Sequence, residues 1–175
     1  HFSDVGDRIL MTPGNFQEEG GFRQKAPEKF YQEDDFPLNF ILSSRQLLVV
    51  MTEQAPGLLG SALFVPNTGI YLHNQRVALV QDLQDERLDS NFLFYIFNSA
   101  RYRAEVGTSA TGAKVRHTSP SKLLGVRIWL PTIDEQRVIA TAIDTEVAKI
   151  DELRLVARST IDLLQERRTA LISAA

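Results

Sequence analysis

Residues 132–175 read TIDEQRVIATAIDTEVAKIDELRLVARSTIDLLQERRTALISAA, without a glycine or a proline. The stretch opens on Thr132-Ile133-Asp134-Glu135, the pattern of a capping box: Thr at the cap, and Glu three residues on reaching back to the cap N–H. At about 1.5 Å per residue the helix it predicts is roughly 60–65 Å long. A globular helix rarely runs so far, and the apolar positions account for the length. Ile143, Val147, Ile150, Ala157, Ile161, Leu164 and Leu171 follow alternating steps of four and three, the spacing of a coiled-coil seam. Arg154 and Arg168 fall on the same seam, where a polar residue weakens pairing but sets register and partner. One helix cannot hide such a stripe by itself, so a partner helix is expected.

Working back from this rod, Pro131-Thr132 marks the boundary between an N-terminal globular domain, residues 1–130, and the helix, residues 131–175. Val126 to Leu130, with the sole tryptophan Trp129, reads as a last strand. Ser119-Pro120 opens a short helix that stops at Gly125. Residues 89–106 read as one helix capped by Asp89 or Ser90 and ended by Gly107, with Phe92, Leu93, Ile96, Phe97 and Ala100 turned to the core. A loop from Thr108 to Gly112 follows it. Further back, Leu47 to Met51 is a short apolar β-type run closed by Ala55-Pro56-Gly57. Ala62 to Val65 and Gly69 to Leu72 flank Pro66-Asn67-Thr68 in the manner of a hairpin, and Arg76 to Val80 is a further strand. The expected class is α+β, an antiparallel or mixed sheet followed by a long coiled-coil helix. Residues 1–46 read as polar and irregular, with turns at Gly14-Asn15 and Gly20-Gly21.

The composition bounds the function. With 43% hydrophobic residues the 175-residue chain can bury a core, and its length suits one domain plus an extension. A net charge of -3 and a pI of about 5.6 count against nucleic-acid binding on the average, although contacts depend on where the charge lies. The absence of cysteine excludes a disulfide scaffold, a thiolate metal site and a cysteine nucleophile, and fits a reducing cytoplasm. No apolar run approaches a membrane span and no signal-peptide pattern opens the chain. It begins at His1 rather than Met, as a processed or truncated chain would, and Ala170 to Ala175 looks like a helix cut in mid-run.

Catalytic signatures are missing. There is no GxxxxGK[ST] or GxGxxG loop, and Gly57 and Gly60 precede a strand rather than a helix. His1, His73 and His117 lack metalloprotease spacing, no GxSxG elbow occurs, and the Asn/Asp-Pro-Pro-aromatic tetrapeptide of amino-methyltransferases is absent. Glu33-Asp34-Asp35 can in principle hold a divalent ion, but adjacent carboxylates in a polar loop are far more often solvated. What stands out is a basic segment: Arg101, Arg103, Lys114, Arg116, Lys122 and Arg127, opposed only by Glu105. Thr108, Ser109, Thr111 and His117 add hydrogen-bonding groups. Cations on a glycine-containing loop suit phosphate, and arginine also reads guanine in the major groove. Gln54, Asn74, Gln75 and Arg76 sit at strand ends, where the amides can read adenine edges. On charge alone the loop reads more simply as solvated, and the amides as turn residues. Phe16, Phe22 and Tyr31 offer rings for stacking on a base, or core anchors for the N-terminal segment.

Several segments together resemble the specificity (S) subunit of type I restriction–modification enzymes. Leu47 through Val65 resembles the middle of that family's target-recognition domain, and Asn74-Gln75-Arg76 its "NQ" strand. Phe92-Leu93-Phe94-Tyr95 to Ser99 is similar to the "FLYYxLNS" helix. Ala110-Thr111-Gly112, His117, Ser119 and Leu123-Leu124 resemble "GT…HLS…L". Ile128-Trp129-Leu130-Pro131 to Glu135-Gln136 resembles the "IPLPPxxEQ" junction, and Ile150-Asp151, Leu164, Glu166-Arg167-Arg168 and Ala170-Leu171-Ile172 the spacer helix. The likeness covers roughly residues 40–175 and departs in residues 1–46. It implies a non-catalytic, cytoplasmic binding subunit. Lys114, Arg116, His117, Thr111, Gln54, Gln75 and Arg76 are then the candidate contacts to double-stranded DNA. Whole S subunits carry two recognition domains and two spacer helices packed antiparallel as a ruler. One domain and one helix imply a fragment, or a half-subunit that dimerises. The partners implied are a modification subunit, which binds S-adenosylmethionine and methylates adenine, and a restriction subunit; the chain itself needs no cofactor. Two other readings compete: an assembly protein that binds no DNA, and the recognition end of a fused restriction–methyltransferase.

Overall fold

The structure, a computed structural model, describes residues 2–25, 30–32, 36–54, 56–81 and 86–173. The acidic cluster Glu33-Asp34-Asp35 lies outside the described residues.

The run Leu47 to Val50 forms strand β5, and its side chains explain why every position is apolar. Successive residues of a strand point to opposite faces. Leu48 and Val50 enter one core cluster, while Leu47 and Val49 enter another. Both faces are therefore covered, so the strand carries no alternation of apolar and polar residues. β5 is central in a three-stranded antiparallel sheet, between β7 (Ala62–Phe64) and β9 (Val77–Leu79).

The second sheet contradicts the reading of residues 1–46 as irregular. It has the order β1-β3-β2-β8-β4, built from β1 (Phe2–Ser3), β2 (Arg8–Leu10), β3 (Phe30–Tyr31), β4 (Ile41–Leu42) and β8 (Ile70–Leu72). Strand β2 runs parallel to β8, and the remaining pairs are antiparallel, so the sheet is mixed. Ile9, Met11, Phe16, Leu42 and Tyr71 pack with Leu48, Val50, Leu63 and Val77, so this sheet covers one face of the central one. Phe16 is a core anchor, Phe22 meets Tyr71 edge-on, and Tyr31 lies against Phe2 and Phe36. Strands of two or three residues are too short to leave a periodic trace, which is why they escape sequence reading.

The expected hairpin across Pro66-Asn67-Thr68 does not form. β7 pairs with β5 and β8 with β2 and β4, so the loop carries the chain from one sheet to the other. Gly69, at φ +98°, takes the left-handed bend that this crossing needs.

Helices cover the opposite face of β5. The single helix expected over residues 89–106 is two: α1 (Ser90–Asn98) and α2 (Ala100–Ser109). Ser99 breaks it, with extended ψ of 142°; its hydroxyl donates to Ile96 O and accepts from Tyr102 N, ending one helix and capping the next. Gly107 does not stop α2, and Ala100 is exposed rather than buried. Asp89 caps α1 through Phe92 N, and Ser119 caps the short α3 (Pro120–Leu124). Leu93, Tyr102, Val106 and Leu123 seal this core with Leu47, Val49 and Ala62.

Val126 to Leu130 is not a strand. β-propensity expresses fit to a paired, half-buried surface, and the segment pairs with no strand among the described residues. Trp129 is 68% exposed. After Pro131 the rod begins as α4 (Ile133–Ser173), one continuous helix of 41 residues. Its capping box is made: Glu135 accepts from the Thr132 N–H and hydroxyl, and Thr132 Oγ1 accepts from Glu135 N. Those bonds hold the Glu135 carboxyl below the usual carboxylate range. Gln136 and Ala140 of α4 are buried where the helix passes α1, and Tyr95 of α1 donates to Asp144. Beyond Asp144 every described residue of α4 is exposed.

Candidate nucleic-acid interface

The chain just after β5 organises the basic loop. Strand β6 (Thr52–Glu53) pairs antiparallel with β10 (Arg116–His117), with Arg116 opposite Glu53 and His117 opposite Thr52. Thr118 N donates to Met51 O, which ties the end of β10 to the end of β5. Thr111 and His117 exchange two backbone hydrogen bonds of 3.0 and 2.8 Å, closing residues 111–117 into a narrow loop. Gly112 makes this closure possible. It sits at φ +105°, and a Cβ there would lie 2.0 Å from the Val115 carbonyl oxygen. Lys114 is exposed on the tip of that loop.

Glu53 is the anchor. It is 2% exposed, and its Oε2 accepts from the N–H groups of Gly57, Leu58 and Leu59 at 3.0, 2.8 and 3.0 Å. Its Oε1 accepts from Arg116 Nη1 at 2.9 Å. A buried carboxylate needs such partners, because isolated charge is costly away from water. The guanidinium also donates to Gly107 O at the end of α2. Arg116, expected on DNA, is therefore largely used inside the protein. The His117 ring is bonded through Nδ1 to Thr52 Oγ1 at 3.0 Å.

The strand-end residues gather at the same place. Gln54 follows Glu53 and is exposed. Arg76 O accepts from Met51 N, and Arg76 N donates to Asn74 Oδ1, so the turn that bears Gln75 and Arg76 lies beside the start of β6. Gln54 and Arg76 line one open cleft of about 410 Å³ with Thr12, Gly14, Lys25, Thr52 and Glu53. Lys25 and Thr12, joined by a hydrogen bond, bring the first 25 residues into this cleft. Sequence reading missed both, since they fall in residues 1–46, which read as polar and irregular. Thr111, Arg116, His117, Gln54 and Arg76 are thus assembled around β6, with Gln75 in the adjoining turn and Lys114 on the neighbouring loop tip. Exposed amides, hydroxyls and cations of this kind suit phosphate oxygens and base edges. Among the described residues no cluster of His, Cys, Asp or Glu is placed to hold a metal ion.

Along α4 the stripe is uncovered. Val147, Ile150, Ala157, Ile161, Leu164 and Leu171 are exposed, Ile150 to 55% and Leu164 to 58%. Ile143 differs: it is half-buried in the turn where α4 still lies near α1. Leu153, Val156 and Leu163 widen the apolar face on one flank of the stripe. Among the described residues no helix is long and apolar enough to cross a membrane.

Comparison with known proteins defines the class first: this chain is similar to the specificity subunits of type I restriction enzymes, and the resemblance drawn from its motifs holds in sequence alignment. The particular relatives are the StySPI specificity subunit of Salmonella potsdam, 25% identical over 88 residues; the EcoBI specificity subunit of Escherichia coli, 26% over 104 residues; and the EcoKI specificity subunit of E. coli strain K12, 26% over 86 residues. The alignments cover 50%, 59% and 49% of this chain, but 19%, 21% and 18% of the relatives. The matched part therefore spans about a fifth of their length. No model of a known protein family matches the chain.

Proposed function

We propose that this chain is one half of a type I specificity subunit: a non-catalytic module that recognises one part of a split DNA target. The globular domain binds double-stranded DNA through the β6 cleft and the 111–117 loop, with Lys114 and Arg76 on phosphate and Gln54 and Gln75 on base edges. Arg116 and His117 serve chiefly by building that edge, and Thr111 by closing the loop. The stripe on α4 pairs with a second copy of the chain or with the other half of a longer subunit. The assembled subunit directs a modification subunit, which carries S-adenosylmethionine and methylates adenine, and a restriction subunit, which cleaves, in the cytoplasm.

One observation carries the reading most of the way. A continuous helix leaves the globule with its apolar seam exposed, in a chain similar to three proteins that are named specificity subunits. Such a stripe needs a partner helix, and a symmetric pair would hold two recognition domains at a set separation.

Two experiments test it. In cells carrying the chain with its modification subunit, genome-wide methylation mapping is expected to return one bipartite motif. In a gel shift with random duplex pools, the complex is expected to select a defined sequence. Association of the subunits without any DNA selection would instead make the chain an assembly protein, the reading its acidic balance favours.

A further inference from the structure

The junction of globule and rod is held by one buried amide. Gln136, in the first turn of α4, is 0% exposed. Its Oε1 accepts from Asp89 N at 2.9 Å; its Nε2 donates to Arg87 O at 2.7 Å and to Pro131 O at 2.9 Å. Asp89 is itself the cap of α1. Gln136 thus ties the start of α1, the chain entering it and the turn leading into α4 to a single side chain. The next two turns of the same face carry the buried Ala140 and then Asp144, bonded to Tyr95. Gln136, Ala140 and Asp144 thus lie on the face that the root of α4 turns toward α1.

Apolar packing at Ala140 is non-directional and lets a helix roll or slide on its neighbour. Hydrogen bonds weaken steeply off axis, so three of them from one planar amide admit one orientation of the helix. Such a satisfied buried polar group adds modest net stability, since water would supply the same bonds; what it adds is definition.

We propose that Gln136 is a positioning residue for target spacing: it sets the direction in which α4 leaves the recognition domain, and hence the separation of two half-sites read by a pair of such domains. The proposal rests on the specificity-subunit reading for its functional part, but the exit direction is a property of this chain alone.

The test has two arms. The chain has no cysteine, so Thr68→Cys on the globule and Ser159→Cys on α4, both exposed, accept a pair of spin labels. Double electron–electron resonance, with labelled chain diluted in unlabelled chain, reads the distance between them. Gln136→Met keeps the volume and removes all three bonds; Gln136→Asn is one methylene too short to make them. Either variant that folds is expected to broaden and shift the distance distribution. Asn98→Ala is the control, because Asn98 makes three comparable amide bonds inside the globule, to Ala62 N, Ala62 O and Phe94 O. It is expected to lower the melting temperature and leave the distance unchanged. In the second arm, with the modification subunit in cells, Gln136→Met is expected to lower methylation at the wild-type spacing roughly tenfold, a misfit of about 1.4 kcal/mol, and to admit new spacings.

An unchanged distance distribution overturns the role of Gln136, as does an equal change in Asn98→Ala. A shifted distance with unaltered spacing overturns its part in specificity. No bipartite motif from the wild-type chain overturns the specificity-subunit reading instead, whatever the distances show.

Discussion

Arg116 Nη1 lies 2.9 Å from Oε1 of Glu53, a side chain that is 1% exposed, and this pair bridges strands β6 and β10. Removing the cation leaves a carboxylate buried with backbone donors alone. Arg116→Met is expected to cost about 3 kcal/mol, measured from the urea midpoint. The double variant with Glu53→Gln is expected to lose less than the sum of the two single losses, since contacting residues are not additive. Strict additivity would show that the pair is not coupled.

Lys114 sits on the loop that this ion pair anchors, and a change there tests the interface without disturbing the fold. Lys114→Glu is expected to leave the melting temperature unchanged and to weaken DNA binding. The slope of log affinity against log salt should fall in magnitude by about 0.9, the effect of one lost phosphate contact. An identical slope in a filter-binding series would remove the loop from the interface. Reversal at Arg116 gives no such clean answer, because it also breaks the bond to Glu53.

Ile150 and Ile161 stand on the exposed stripe, far beyond the docked turns of α4. Ile150→Asp with Ile161→Asp is expected to abolish association in sedimentation velocity while the globule melts as before. A double variant that still associates normally would show that the contact lies elsewhere.

Tyr95 offers a pH test of the root of α4. Burial chiefly, with the hydrogen bond to Asp144 and its charge, raises the Tyr95 pKa from 10.0 to about 12. A group whose folded pKa is raised contributes stability that is fully present below the unfolded value and is lost as pH rises through the folded one. The stability difference between wild type and Tyr95→Phe is therefore expected to hold steady up to about pH 10 and to close toward about pH 12. Tyr102 is raised in the same direction by burial, so the difference between the two proteins, not either melt alone, carries the result. A difference indifferent to alkali would mean that the phenol does not help to hold α4.

The rod and the central strand were legible in the sequence because their signals are local. A long stretch without Gly or Pro, opened by Thr132 and Glu135, has few other readings. Leu47 to Val50 likewise stood out as a run, though not the fact that alternate residues serve two cores. What stayed hidden depends on distant partners. The parallel pairing of Arg8–Leu10 with Ile70–Leu72 joins segments too far apart for any window to connect. Val126 to Leu130 has the composition of a strand but finds no edge. At the candidate interface, Gln54, Arg76, Thr111 and His117 were singled out by side-chain chemistry, and the last three also by the resemblance, and the structure brings them together around β6. Glu53 was not singled out, because one acid between Thr52 and Gln54 carries no pattern. The clue available was the turn at Pro56-Gly57, where free backbone N–H groups need an acceptor.

About 44 Å of α4 extends past Asp144, counting 29 residues at 1.5 Å each. The helix is thus a lever, held over three turns at its root and clear of the globule in the residues beyond. A tilt of roughly 10° at the clamp would swing Ser173 by about 8 Å, a little over two base-pair steps of DNA. On the proposed reading, small substitutions among the clamped side chains would be geared up into large displacements further along the rod, letting a lineage change the gap in its target without altering a single base-reading residue.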